Sequence, residues 1–348
     1  MHVSRFPAAV AGAAMLAVAL SACGGGSTPA AAPTVTVTAS SPASQTSGAA
    51  SPAAAVPPQI VAVTKHGALV TLDPATGSVT QTLVASGVEG DEVSVSASGM
   101  VYFAIKHGCY GEIESVPVGG GTVADITAGS LPAVTPDGGK LAYADQPLMT
   151  AACANSSSDP SALSRIAVRA LSSGSTVTYP AVPPSQDTGL PYPVSHLSWA
   201  PDGAHLAVSI ESAEDNEGWN LELMDTEQAQ YYLSGAGTAS VPVTGSPTPQ
   251  RSYLREGIYL PNGNLFVSRA CCAGFPVDNT SRLMWEVSPN GTLVHQVAVG
   301  FASIDHVSLA VSPDGSWLLY LAGKTLYVSH GGNTPSELSS GFIAAAFA

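Results

Sequence analysis

The stretch HLSWAPDGAHLAVSI, residues 196–210, has an apolar segment on each side of a Pro-Asp-Gly turn. The same arrangement returns as LPAVTPDGGKLAYAD at 131–145 and as VSLAVSPDGSWLLYL at 307–321. Asp and Gly between two β-type segments are typical of a hairpin, because Gly accepts the positive φ that such turns need. A chain that repeats its turn usually repeats a structural unit, so these turns are the first guide to the fold.

Two further hairpins carry degenerate copies of the turn. The five hairpins have their turn glycines at Gly99, Gly138, Gly203, Gly263 and Gly315. Successive turn glycines are separated by 39, 65, 60 and 52 residues. Each hairpin is followed by a second pair of short segments rich in Val, Ile, Tyr and Thr with alternating polarity, which indicates two more strands. Four antiparallel strands per repeat predict the blade of an all-β propeller.

The two ends of the repeat region predict how many blades there are. Residues 60–84 contain the second, third and fourth strands of a blade but lack the first, and GFIAAAFA at 341–348 has the pattern of that missing strand. Pairing the two ends closes the ring and covers both edge strands, which an open array would expose. Five complete blades and one shared blade predict six, and seven stays open because the repeats are degenerate.

These turns resemble those of the six-bladed TolB-like propellers, in which an SPDG phrase ends the innermost strand of each blade. The resemblance covers residues 59–348 and is carried by 136–138, 201–203 and 313–315, with degenerate copies at 261–263 and 98–99. It implies an all-β, six-bladed architecture. Such motifs specify an architecture and say little about function.

Residues 1–22 have the pattern of a signal peptide, with Arg5 before a short apolar run that ends at Leu20. The following Ser21, Ala22 and Cys23 complete a resemblance to the lipobox of bacterial lipoproteins, which implies a lipid on Cys23. The alternative is an ordinary signal peptide with an incidental cysteine. Residues 23–58, rich in Ala, Ser, Thr and Pro, predict a flexible tether. We therefore expect attachment to the outer, extracytoplasmic side of the cell membrane through the lipid alone.

The charge balance limits the choice of partner. The chain has 25 acidic against 11 basic residues, and its formal net charge is −14. So few Lys and Arg residues argue against a nucleic-acid partner, which needs a basic surface. We expect an envelope protein, a peptide or a glycan as the partner of a monomeric propeller, and no cofactor unless a calcium ion is bound.

Four further cysteines predict disulfide bonds, because the expected compartment is oxidising. All four lie in the loops predicted to join the second and third strands of their blades: Cys109, Cys153, Cys271 and Cys272. Four thiols allow three pairings. A Cys109–Cys153 bond is the first choice, because the two positions are equivalent in neighbouring blades. Adjacent Cys271 and Cys272 could form a vicinal disulfide, either as a structural kink or as a surface that contacts a ligand.

A cluster of titratable side chains is predicted by the register of the repeats. Six positions before the Asp, Asn or Ser of each turn stand Glu92, Leu131, His196, Glu256 and Ser308. We expect these residues at the start of the innermost strands, at the mouth of the central channel, with Asp305 and His306 close by. Carboxylates and imidazoles that converge there could hold a polar ligand or a divalent cation. The alternative is that a channel mouth is polar without being a site.

The sequence favours a membrane-anchored binding or scaffolding module that uses the loop-rich face of the propeller. The alternative is a metal-dependent hydrolase or lactonase with calcium at the channel mouth, held by Glu92, His196, Glu256, Asp305 and His306. A purely structural envelope protein is the third hypothesis. No nucleophile elbow, Walker loop or zinc-helix motif occurs in the sequence, so no catalytic residue is predicted.

Overall fold

The computed structural model describes residues 57–107, 110–145, 165–181, 194–211, 219–231, 238–241, 250–269, 283–298, 307–331 and 333–348. Within these residues the strands form six antiparallel sheets, which are the six blades of a propeller. The predicted all-β propeller with six blades is confirmed. Among the same residues, no helix is long and apolar enough to cross a membrane.

Each of the first three blades has four strands. From the innermost strand outward, blade 1 contains β25 (Phe342–Phe347), β1 (Ile60–Thr64), β2 (Leu69–Leu72) and β3 (Val79–Val84). Blade 2 contains β4 (Val88–Val95), β5 (Met100–His107), β6 (Tyr110–Pro117) and β7 (Ala124–Ala128). Blade 3 contains β8 (Ser130–Val134), β9 (Lys140–Ala144), β10 (Arg165–Ala170) and β11 (Thr176–Pro180).

The other three blades continue in the same order around the ring. Blade 4 contains β12 (Val194–Trp199), β13 (His205–Glu211), β14 (Trp219–Asp225) and β15 (Gln230–Tyr231). Blade 5 contains β16 (Thr238–Val241), β17 (Gln250–Tyr259), β18 (Leu265–Arg269), β19 (Leu283–Val287) and β20 (Leu293–Ala298). Blade 6 contains β21 (Val307–Val311), β22 (Trp317–Ala322), β23 (Thr325–His330) and β24 (Ser336–Ser340).

The C-terminal strand closes the ring. β25 pairs antiparallel with β1, with Val61 opposite Ala346, and the Ala348 N–H donates to the Gln59 carbonyl at 2.8 Å. β1 therefore has hydrogen-bonded neighbours on both sides, and blade 1 has four strands. This confirms the predicted sharing of one blade by the two ends of the repeat region.

The Pro-Asp-Gly turns are structural. Gly203 has a φ of 64°, a conformation that glycine adopts at little cost. Asp202 accepts hydrogen bonds from the backbone N–H groups of Ala204 and His205. In the last turn the Ser312 hydroxyl donates to Asp314 at 2.6 Å and, with bonds from Ser316, lowers the pKa of Asp314 to about 2. The turn carboxylates thus fix the backbone between the first two strands of a blade.

Apolar side chains between adjacent blades form the core. Between blades 4 and 5, Leu221 and Leu223 are packed in one cluster with Leu265, Val267 and Trp285, all fully buried. Equivalent clusters lie between the other blades. The alternation of side chains along each strand fills both faces of each blade, as a propeller requires.

Blade 5 differs from the prediction by one additional strand. The sequence pattern predicts an irregular passage between blades at 235–256, but β16 pairs with the first part of β17, and Ser240 lies opposite Arg251. A two-stranded extension therefore precedes the four-stranded blade. Its sequence is dominated by Gly, Ser, Thr and Pro, which normally indicate a loop, so the pattern did not reveal these strands.

Candidate functional site

Five neighbouring inner strands carry an irregularity near their starts. The pairing register shifts within β25 at 342–344, β4 at 89–93, β8 at 130–133, β12 at 194–196 and β17 at 254–257. The pairing of β21 with β22 has no such shift. Bulges bend a strand and change the direction of its side chains, and they are frequent next to functional sites. We call this level, defined by Glu92, Leu131, His196 and Glu256, the bulged end of the channel.

The backbone is strained at the bulge of β8. Leu131 has a φ of 53°, although it is not a glycine and it precedes Pro132. Both features disfavour this conformation, because a side chain and a following proline each restrict the backbone. Strain of this kind costs on the order of 1–3 kcal/mol and is concentrated at functional sites. Its position at the bulged end supports a functional role for this level.

The bulges bring an imidazole between two carboxylates. The His196 Nδ1 atom lies 3.1 Å from Glu92 Oε1 and 3.8 Å from Glu256 Oε1. The three side chains are only 10%, 8% and 14% exposed, in the order His196, Glu92 and Glu256. They come from blades 4, 2 and 5, so the propeller assembles the cluster from distant parts of the chain.

His196 is neutral at pH 7. Burial removes water from the ring and lowers its pKa to about 4. Because Nδ1 lies within hydrogen-bond distance of a carboxylate oxygen, we assign the proton to Nδ1, which leaves a lone pair on Nε2. Nε2 is buried and has no hydrogen-bond partner among the described residues. The cluster therefore presents acceptor groups.

The cluster lies at one end of an axial cavity of about 540 Å³. Residues of all six inner strands line the cavity, and Glu92, His196 and Tyr259 are its ionisable lining residues. Most of the remaining wall is apolar, with Val93, Leu197 and Ile258 as examples, and the turn prolines lie at the opposite end. A cavity of this size and polarity is in the range of ligand-binding pockets, roughly 300–1,000 Å³.

The structure also shows where the other residues predicted from the sequence lie relative to the strand starts and to the cavity. Glu92 is preceded within β4 by residues 88–91, and His196 by 194–195 of β12, so these inner strands begin earlier than expected. Ser308 is in β21 and lines the cavity. Outside the described residues lie Cys23, Cys109, Cys153, Cys271, Cys272, Asp305 and His306. The lipid anchor, the disulfides and the contribution of Asp305 and His306 stay predictions.

Within the part of the chain that the structure describes, no group of three or more His, Cys, Asp or Glu side chains has the arrangement of a metal site. Glu92 Oε1 and His196 Nδ1 lie 3.1 Å apart, which is within hydrogen-bond distance.

Sequence reasoning missed the bulges, although two glycines signal them. Gly90 and Gly257 stand inside inner strands, where glycine often marks a bulge or a close approach. A Cβ atom at Gly90 would lie 2.8 Å from Ile343 Cδ1, and one at Gly257 would lie 2.7 Å from Leu221 Cδ2. A side chain at either position would therefore have to displace a side chain of the neighbouring blade.

Comparison with known proteins supports the fold. The described architecture is similar to TolB from Acinetobacter baumannii, with a TM-score of 0.54, 14% identity and coverage of 84% of this chain and 66% of that chain. It is also similar to a chain of the nidogen/laminin complex, with a TM-score of 0.54, 9% identity and coverage of 83% and 97% of the two chains. No family model matches the sequence, and no curated protein matches it.

Acid is expected to destabilise the propeller through His196. The folded-state pKa of about 4 lies below the ordinary value of 6.5, so the unfolded chain takes up the proton first as the pH falls. This contribution to stability is complete above pH 6.5 and is lost towards pH 4, by about 3 kcal/mol in total, since each pKa unit corresponds to about 1.4 kcal/mol. Urea unfolding at pH 7, 6, 5 and 4 measures this loss.

A His196→Gln variant should lack this part of the pH dependence, because glutamine has no titrating proton. The matched control is His107→Gln, since the side chain of His107 is 80% exposed. The control should lose stability with acid as the parent protein does. An unchanged pH dependence in the His196→Gln variant would contradict the assignment.

Proposed function

We propose that the chain is a lipid-anchored, extracytoplasmic binding protein that takes up part of a protein partner at the bulged end of its channel. The observation that carries the proposal is His196, buried between Glu92 and Glu256 at one end of a largely apolar cavity. Buried polar groups are costly unless they are satisfied, so a protein retains them where they bind something or fix a structure. The position of Glu92 and His196 in the wall of a cavity favours binding.

Two further observations support a binding role. The strained backbone of Leu131 lies at the same level, which is expected where neighbouring structure holds a site in one geometry. One of the similar propellers was solved as part of a nidogen/laminin complex, so the fold supports association between proteins in that case. In this proposal the lipid on Cys23 and the tether at 23–58 hold the propeller at the outer side of the membrane.

Crosslinking at the cell surface tests the proposal. The full chain, the Glu92→Gln/Glu256→Gln double variant and a control are expressed in the native cell, crosslinked and analysed for bound proteins. We expect one specific partner with the unmodified chain and at least a tenfold lower yield with the double variant, because two acceptor charges are removed from the bulged end. A Cys23→Ser variant should move the protein from the membrane to the soluble fraction.

The matched control is the Glu89→Gln/Glu112→Gln variant. These glutamates belong to blade 2 and pair with Lys106 and His107 outside the cluster, so the control loses the same charge elsewhere. It should recover the partner as the unmodified chain does. The absence of any partner, or equal recovery by all variants, would overturn the proposal. Stoichiometric calcium retained after dialysis, and lost with Glu92→Gln, would favour the hydrolase instead.

A further inference from the structure

We infer that the bulged end binds a primary ammonium group carried on an aliphatic stem. The inference rests on the proposed function and specifies the chemical group that a partner inserts into the channel. A lysine side chain or a free alkylamine can supply this group. Three features of the molecule select it: the acceptor groups of the cluster, the protonation state of His196 and the wall of the cavity.

The cluster presents acceptors to a ligand. Glu92 and Glu256 supply carboxylate oxygens, and the Nδ1–H of His196 is directed to Glu92. The remaining imidazole nitrogen, Nε2, is an acceptor in a residue that is 8% exposed, and it has no partner among the described residues. A ligand that matches this set has to donate hydrogen bonds, and a positive charge strengthens those to carboxylates. An anion would be repelled.

An ammonium group fits this set better than other cations. It carries three donors that point in different directions, whereas the donors of a guanidinium group lie in one plane. The acceptors here belong to three separate side chains from blades 2, 4 and 5, and they do not form the single flat edge that a guanidinium group pairs with.

The cavity wall favours an aliphatic stem next to the charged group. Beyond Glu92 and His196 the wall contains Val93, Leu197 and Ile258, and β25 contributes Ala344 and Ala346. A stem placed against these side chains leaves water, which favours binding by about 25 cal/mol for each Å² of apolar surface buried. The net charge of −14 also raises the local concentration of cations around the protein.

Calorimetry with small probes tests the inference. The full chain is titrated at pH 7 and low salt with n-pentylamine, pentan-1-ol and pentanoate, which share a stem and differ in charge. We expect the amine to bind at least tenfold more tightly than the alcohol, and pentanoate not to bind. Glu92→Gln and Glu256→Gln should each weaken amine binding at least tenfold, while Glu89→Gln should leave it unchanged.

Equal binding of the amine and the alcohol, or no binding of the amine by the folded parent chain, would overturn the inference. An equal loss of amine binding with Glu89→Gln would also overturn it, because Glu89 pairs with Lys106 outside the cluster. The comparison of the three probes uses only the parent chain, so it decides the question even if a variant does not fold.

Two peptides distinguish the source of the ammonium group. An acetylated, amidated pentapeptide with a central lysine should bind, and the same peptide with norleucine in place of lysine should bind at least tenfold more weakly. Binding of pentylamine without binding of the lysine peptide would assign the site to free amines. Amine binding together with failure to find a partner by crosslinking would contradict the proposed function and leave the ammonium site supported.

Discussion

Deletion of residues 342–348 is expected to abolish cooperative folding of the propeller. The deletion removes β25, which is the inner strand of blade 1, and with it the buried side chains of Phe342 and Phe347. Replacing one buried phenylalanine by alanine already costs about 3–5 kcal/mol. The free energy of unfolding of a domain is about 5–15 kcal/mol in total. The loss of two buried phenylalanines together with the opening of the ring is therefore comparable to, or larger than, the whole stability of the propeller. Urea unfolding and near-ultraviolet circular dichroism measure the result.

Adding a peptide with the sequence of residues 342–348 should restore part of the lost signal, because the vacant edge of β1 can pair with it as β25 does. The control is Ser340→Ala in β24, where the residue is exposed and the change should stay within about 0.5 kcal/mol. A truncated chain with the unfolding midpoint of the parent protein would show that ring closure contributes nothing to stability.

Trp285→Ala is expected to destabilise the chain by about 3–5 kcal/mol, the usual cost of emptying a large buried aromatic site. Trp285 in β19 is fully buried and clusters with Leu221 and Leu223 of blade 4. The resulting cavity would lie between two blades. Because strand pairing fixes the backbone of each blade, the neighbouring side chains can fill the cavity only in part. The free energy of unfolding in urea measures the loss.

Two variants serve as comparisons for this site. Trp317→Ala should cost less than half as much, because Trp317 is only partly buried and contacts His330 with ring centroids 4.5 Å apart and ring planes tilted by 45°. Trp285→Phe should also be milder, since the Trp285 Nε1–H is buried with no hydrogen-bond partner among the described residues. Equal losses for Trp285→Ala and Trp317→Ala would mean that blade 5 packing does not limit stability.

The architecture could be predicted because its signals are local. The turn at 201–203 is determined by the φ of Gly203 and by the bonds that Asp202 accepts within a few residues. The shared blade was predictable from a strand missing at one end and present at the other. Neither inference required knowledge of contacts between distant residues.

The candidate site depends on such contacts and could be predicted only in part. Counting from the turns placed Glu92, His196 and Glu256 at one level, and the structure shows these side chains in contact. The bulges that turn them towards one another, and the left-handed conformation of Leu131, result from packing between blades. No pattern of residue types reports the protonation of His196, because that depends on its burial.

The pairing of β1 also has a mechanical consequence. A pull along the axis of β1 that is applied through the segment before Ile60 would act on a strand that is hydrogen-bonded to β2 on one side and to β25 on the other. Because these bonds are perpendicular to the strand, such a load shears both rows of bonds together and does not open them one at a time. For a load in that direction, the first strand of the propeller is thus held in shear, which is its mechanically resistant geometry.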